Sequence, residues 1–333
     1  MTKFMPVGGE TAVMSVSRSE TIADRVIDEV LGAVVADRRL METIMTGVLA
    51  RGHVLLEDVP GTGKTLTARS LATALGLEFN RLQFTPDLLP ADVTGSYVFD
   101  ENAGSFEFNE GPIFANVVLA DEINRSPPKT QAALLEAMEE GQVTVDGTTH
   151  ELPEPFLVIA TQNPVEQEGT FELPEAQRDR FTVKTSIGYP DAAGERELID
   201  RRADRTAQAP TVEPVIDAEA VRALRQIPEQ VTVEDELRDY VVAVCRETRA
   251  DRRVDVGVSP RGVQRLFEAA RARAAIAGRE YVVPDDVLAV AEPVLAHRLV
   301  LTAETSVRDT TRRDVVRDVL DRVEVPAMTP PES

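Results

Sequence analysis

His53-Val54-Leu55-Leu56-Glu57-Asp58-Val59-Pro60-Gly61-Thr62-Gly63-Lys64-Thr65 is a short apolar run that breaks into a glycine-rich turn ending in Lys-Thr, with an apolar helical pattern after it. A buried strand, a glycine-rich loop and a helix start, in that order, form a phosphate cradle. Gly61 and Gly63 let consecutive backbone N–H groups converge on phosphate oxygens, and the helix start adds the positive end of its dipole. Lys64 can reach the β and γ phosphates, Thr65 offers a hydroxyl to Mg2+, and Pro60, Thr62 and Leu66 complete the binding segment. The helix is expected to turn Leu66, Leu71 and Leu75 inward. One position departs from the G-x-x-x-x-G-K-T pattern, because Asp58 stands where its first glycine usually sits. A carboxylate there has to face away from the phosphates, which it would otherwise repel.

A second element lies downstream, where Val117-Val118-Leu119-Ala120-Asp121-Glu122 is an apolar run ending in two carboxylates. A buried strand here delivers Asp121 to the metal side of the phosphates, while Glu122 can orient and polarise a water for in-line attack. Ser126 is expected to cap a helix over 129–140, with Ala133, Leu134, Ala137 and Met138 inward.

Composition narrows the remaining classes. The 333 residues carry 36 Lys+Arg against 57 Asp+Glu, a net charge of −21. That field opposes non-specific attraction to nucleic-acid backbones. Lysine occurs only at Lys3, Lys64, Lys129 and Lys184, and this acidic, arginine-rich balance fits both a high-salt cytoplasm and a GC-rich genome. The single cysteine, Cys245, excludes a disulfide framework and a thiolate zinc site, and it ends an apolar helix face as a core residue. His53, His150 and His297 lack metal-ligand spacing. No apolar run approaches the roughly 20 residues of a membrane helix, and the N-terminus lacks a cationic segment followed by an apolar one. A cytoplasmic protein is expected.

Periodicity divides the chain into a leader over 1–18, an α/β core over 19–190, a hinge and linker over 191–214, a helical domain over 215–325 and a tail over 326–333. Ile22, Val26, Val30 and Val34, then Leu40, Ile44, Val48 and Leu49, predict two amphipathic helices ahead of the loop. Runs at 54–56, 77–84, 117–120, 156–160 and 181–187 predict a parallel sheet with helices on its faces. Segments 97–108 and 142–152 read as hairpins, the second turning at Asp146-Gly147. Patterns near 217–226, 233–250, 260–278, 284–300 and 307–322 predict an all-helical second domain, with starts at Asp217, Ser259 and Pro284. The arginines between 271 and 279 form a basic stripe that neighbouring acids are expected to pair.

P-G-T-G-K-T at 60–65, D-E-I-N-R at 121–125, A-T-Q-N-P at 160–164, L-P-E-A-Q-R-D-R-F at 173–181 and S-P-R at 259–261, in this order, resemble a MoxR-type AAA+ ATPase over about residues 20 to 300. The two hairpins are similar to the helix-2 insert and the pre-sensor hairpin that place this family beside magnesium-chelatase motor subunits. The resemblance implies a P-loop AAA+ fold, with a five-stranded parallel sheet sandwiched by helices, hairpin inserts and a smaller helical lid. It implies ATP and Mg2+ as cofactors, the metal held by Thr65 and Asp121, and hydrolysis carried by Lys64, Glu122, Asn163 and Arg180. Asn163 matches sensor 1, beside the γ-phosphate. Arg180 matches the arginine finger that reaches a neighbouring subunit's nucleotide, and it is preferred over Arg178, where the family usually has leucine. Arg261 matches sensor 2 in the lid, serving its own nucleotide or a neighbour's. Ala36 stands where a glycine is common at the adenine edge, which leaves the adenine contacts open. A finger acting in trans requires an oligomer. The resemblance implies a hexameric ring of identical subunits that remodels or activates a protein partner, first of all one carrying a von Willebrand factor A domain. A magnesium-chelatase-like motor and a slow nucleotide-dependent binding switch are the alternatives.

Overall fold

The computed structural model describes residues 14–102, 104–164, 171, 173–204, 210–308 and 310–327. Two amphipathic helices lead in, α1 (Val16–Ala33) and α2 (Arg38–Leu49). Ile22, Val26 and Val30 of α1 and Leu40, Ile44, Val48 and Leu49 of α2 are buried, the stripes that the spacing predicts. Ser15 and Asp37 cap them, each accepting a backbone N–H. Helix α1 thus begins inside the span expected to be a leader, and residues 1–13 lie outside the described residues.

The chain then runs through β1 (Val54–Glu57), α3 (Lys64–Ala74), β2 (Phe79–Gln83), α4 (Pro90–Thr94), the hairpin β3 (Gly95–Asp100) and β4 (Ser105–Glu110), β5 (Val117–Asp121), α5 (Pro128–Glu140), the hairpin β6 (Gln142–Val145) and β7 (Thr148–Glu151), β8 (Leu157–Gln162), α6 (Glu175–Arg178) and β9 (Val183–Thr185). Five of the strands make a parallel sheet in the order β2-β5-β8-β1-β9. The central strands read as continuous apolar runs because both faces are covered. Val54 and Leu56 of β1 enter a core shared with α1, α2 and α3, whereas Leu55 enters the core under α5. Asp146 (φ +50°) and Gly147 (φ +82°) turn the second hairpin as expected, both in the left-handed region that a two-residue turn requires.

Two local expectations fail. Leu66 is 37% exposed instead of inward, while Ala68, Leu71 and Leu75 are fully buried. At 3.6 residues per turn, a position two before Ala68 lies on the opposite side of α3. Ser126 does not cap α5, because Pro127 takes the cap position and Pro128 opens the helix, where its missing N–H costs nothing. The Ser126 hydroxyl is buried without a hydrogen-bond partner.

The C-terminal part comprises α7 (Ala192–Asp204), α8 (Ala218–Leu224), α9 (Asp235–Ala250), β10 (Val254–Val256), α10 (Pro260–Ile276), α11 (Pro284–Leu295), β11 (Val300–Leu301), α12 (Ala303–Ser306) and α13 (Arg312–Arg322). Asp217 and Ser259 cap α8 and α10 as predicted. This part is not purely helical, since β10 and β11 pair as an antiparallel ribbon. Helix α7 occupies much of the span read as hinge and linker. It buries no residue, so it shows no apolar stripe. Its support comes from the i,i+4 pairs Arg196–Asp200 and Glu197–Arg201 and from Arg201 donating to the carbonyls of Leu31 and Gly32 at the end of α1. Helix α10 packs against α1, α2 and α11, so the C-terminal part and the leading helices share one core. Arg271 pairs with Glu229, Arg273 with Glu42 and Arg279 with Asp286, as the basic stripe predicts.

Candidate functional site

The loop between β1 and α3 has the geometry its glycines require. Gly61 and Gly63 sit at φ +89° and +90°, and no atom lies within 4 Å of where either would carry a Cβ. Lys64 is the first residue of α3, so the N–H groups of Lys64, Thr65 and Leu66 are helix-start donors with no carbonyl four residues back inside the helix. The Lys64 ammonium lies over the loop, donating to the carbonyls of Asp58 (2.9 Å) and Val59 (2.7 Å). The Asp58 side chain points the other way, as its charge demands. Its buried carboxylate accepts from Ser186 Oγ (2.8 Å), Ile187 N (2.6 Å) and Gly188 N (2.9 Å), tying the end of β1 to the segment that leaves β9.

The sheet register brings the acidic pair beside this loop. Glu57 is opposite Gln162, Ala120 opposite Ala160 and Gln83 opposite Asp121, so β1, β8, β5 and β2 end along one edge. Asp121 is buried and heavily engaged. Thr161 Oγ1 donates to its Oδ1 (2.6 Å), and Arg81 donates to its Oδ2 through Nε (3.0 Å) and Nη2 (2.7 Å). Glu122 adopts the left-handed conformation (φ +56°, ψ +50°), which costs a non-glycine residue about 1–3 kcal/mol. Its N–H is held by Thr161 Oγ1 (2.8 Å), and its Oε2 accepts from Gln83 Nε2 (2.8 Å) and Arg125 Nη1 (3.1 Å). Asn163 follows β8 directly and is 6% exposed, between the loop and the acidic pair in strand order. Arg81, Gln83 and Thr161 escaped the sequence reading. The signal for Arg81 and Gln83 was the polar content of Asn80-Arg81-Leu82-Gln83 in a strand of an otherwise apolar sheet, and that for Thr161 was a hydroxyl at the end of the apolar run of β8.

The expected arginines lie elsewhere. Arg180 precedes β9, and its guanidinium donates to the Leu135 carbonyl and pairs with Glu139 Oε2 (3.1 Å). Arg261, in the first turn of α10, pairs with Glu139 Oε1 (2.6 Å). Both line a cavity of about 240 Å3 with Arg51, which stands just before β1. Helix α5 runs back from the end of β5, so Glu139 and Arg51 mark the sheet edge where strands begin. The loop at 58–65 marks the edge where they end. Arg178 ends α6, two positions before Arg180. Arg298, only 2% exposed, brackets Arg180 by donating to Asp179 Oδ1 (2.7 Å), Phe181 O (2.8 Å) and Thr182 O (3.3 Å).

Among the described residues, no group of three His, Cys, Asp or Glu could hold an ion by itself. His53 is buried, accepting from Val158 N at Nδ1 and donating to Met138 O from Nε2, and burial pushes its pKa down to about 4. Cys245 is buried, and its thiol is pushed up to about 12. The hard oxygens of Thr65 and Asp121 suit Mg2+, which takes one or two protein oxygens and keeps its waters and substrate phosphates. The Asp121 carboxylate has about four acceptor positions and uses three, which leaves one for a metal-bound water. No helix among the described residues is long and apolar enough to cross a membrane.

Comparison with known proteins relates the chain to characterised families by sequence and fold. Residues 53–183 match the model of the ATPase family associated with various cellular activities (AAA), and residues 246–319 match an AAA lid domain. The chain is 45% identical over 302 residues to the uncharacterized protein YeaC of Bacillus subtilis, covering 91% of this chain and 94% of that protein. It is 42% identical over 312 residues to the chaperone MoxR1 of Mycobacterium tuberculosis, covering 91% and 82%. A crystal structure from Cytophaga hutchinsonii, described as an ATPase candidate, superposes with a TM-score of 0.86 at 38% identity, covering 94% of this chain and 97% of that one.

Proposed function

Because the chain belongs to the MoxR family of AAA ATPases, we propose that it is one subunit of a hexameric ring that hydrolyses ATP between adjacent copies to remodel a protein client. One observation carries this reading. Lys64, Asp121, Glu122 and Asn163 gather where the strands end, whereas Arg180 and Arg261 meet on Glu139 where the strands begin. Neither arginine belongs to its own chain's phosphate loop, so a complete site takes two copies. The same separation supports reading Arg261, with Arg180, as reaching the neighbour's nucleotide.

Within that site, the N–H groups of Gly61 to Leu66 and the Lys64 ammonium hold the phosphates, Lys64 exchanging its two loop carbonyls for phosphate oxygens. Pro60 and Thr62 shape the loop. Thr65 and Asp121 would hold Mg2+, which when bound neutralises phosphate charge. Glu122, preset by Thr161 and Gln83, polarises the attacking water, and Asn163 orients it. The terminal phosphate leaves as inorganic phosphate while Arg180 and Arg261 of the adjacent copy stabilise its transition-state charge.

The client face is the β3–β4 hairpin. Val98, Phe99 and Phe106 are at least half exposed there, and Asp100, Glu101, Glu107 and Glu110 surround them, with no Lys or Arg between residues 82 and 124. That pattern suits a basic, apolar stretch of polypeptide. A partner with a von Willebrand factor A domain is the client we assign.

The test is ATP turnover per subunit against protein concentration, with Glu122→Gln and Arg180→Ala alongside. Turnover that rises with concentration and is lost in both variants is expected. Turnover independent of concentration overturns the two-copy site.

A further inference from the structure

The acidic end of α5 has no role in the chemistry described above, yet one carboxylate there touches both arginines assigned to the neighbour's nucleotide. Glu139 gives Oε1 to Arg261 Nη2 (2.6 Å) and Oε2 to Arg180 Nη2 (3.1 Å). Arg180 precedes β9 and Arg261 opens α10, so the two are 81 positions apart and share no element. Two guanidinium groups brought together this closely repel each other unless an anion lies between them. The surrounding cavity gathers Arg51, Arg180, Arg261 and Arg265 with Glu139 and Glu268, and Arg180 also borders Glu136 and Glu140 of α5.

We propose that Glu139 is a positioning residue that sets Arg180 and Arg261 as one unit for the adjacent copy's terminal phosphate, so that core and lid deliver both cations together. The proposal rests on the reading that these arginines act in trans. Glu139 reaches no phosphate itself, and it keeps each guanidinium on a fixed line while leaving donor N–H groups of each available. Its own carboxyl is held below the usual range, first by the hydrogen bond from Arg261 and then by the nearby Arg180 charge. The side chain is 36% exposed, and pairs this open contribute little to folding. A purely structural role would therefore leave turnover alone.

The test measures steady-state ATP hydrolysis, ring size by light scattering and thermal stability for Glu139→Ala and Glu139→Gln, beside Arg180→Ala and Arg261→Ala. Glu139→Ala should lower kcat on the order of 10²-fold through misplacement of both cations, with KM for ATP, ring size and Tm unchanged. Glu139→Gln should recover part of the loss, because its amide oxygen still accepts from one guanidinium. Mixing Glu139→Ala subunits with inactive Lys64→Ala subunits should restore turnover, because the first supply sound loops and the second sound arginines. Wild-type kcat in Glu139→Ala, absence of recovery in the mixture, or loss of the ring in both Glu139 variants overturns the proposal. Full turnover in Arg180→Ala and Arg261→Ala instead overturns the trans reading beneath it.

Discussion

Asp58 carries a charge in a phosphate-binding loop and gains stability from it. Its buried carboxylate collects a hydroxyl and two backbone N–H groups from Ser186, Ile187 and Gly188. Hydrogen bonds to a charged group contribute about 1.5–3 kcal/mol each, less when solvent can replace them. Asp58→Gly, which restores the usual glycine, should therefore lower unfolding free energy by roughly 3 kcal/mol in chemical denaturation. Asp58→Asn should lose about half as much, since one acceptor oxygen remains. Stability unchanged in Asp58→Gly would show that the carboxylate does not hold β1 to the strand exit. The sequence placed this residue correctly because charge alone forbids it from facing phosphates. It was silent on Arg81, Gln83 and Thr161, which act only through cross-strand register, and on Glu139, whose two partners lie 41 and 122 positions away.

At the level of elements, the strands of the parallel sheet, the two hairpins and the helices with an apolar stripe were legible, because periodicity reports burial directly, whereas the short β10–β11 ribbon was not. Helix α7 was not legible, since it buries nothing and is held by ion pairs and by Arg201 on the end of α1. One tie between the C-terminal part and the sheet was equally hidden, because it is a buried cation rather than an apolar stripe. Arg298 joins the turn after α11 to the residues on both sides of Arg180, and its main counter-charge is Asp179 (2.7 Å). Burial lowers the Arg298 pKa to about 10, still far above neutrality, so the group stays charged and paired. Replacing one member of a buried pair leaves the other uncompensated, at a cost of about 3–5 kcal/mol. Arg298→Met should lose that much, measured by urea unfolding, while Asp179→Asn with Arg298→Met should recover part of it. A double variant no more stable than Arg298→Met alone would mean that packing, not the stranded charge, sets the loss.

For the whole molecule, the net charge of −21 acts against the proposed ring, because each copy would repel the next. In that proposed ring the attraction is local, from Arg180 and Arg261 toward a neighbour's phosphates. Salt separates the two by range. The Debye length falls from about 20 Å at about 0.02 M to about 5 Å at about 0.3 M KCl, so the long-range repulsion is largely removed while contacts at hydrogen-bond distance persist. The protein concentration giving half-maximal turnover per subunit should therefore fall, by roughly tenfold, over that KCl range. Screening is nearly complete by then, so a plain Coulombic effect levels off at higher salt. A further steep rise in assembly at multimolar KCl would reveal an adaptation to salt that charge screening does not supply. A shift to higher protein concentration with added KCl would mean that the arginine edge, and not the net charge, governs how the copies meet.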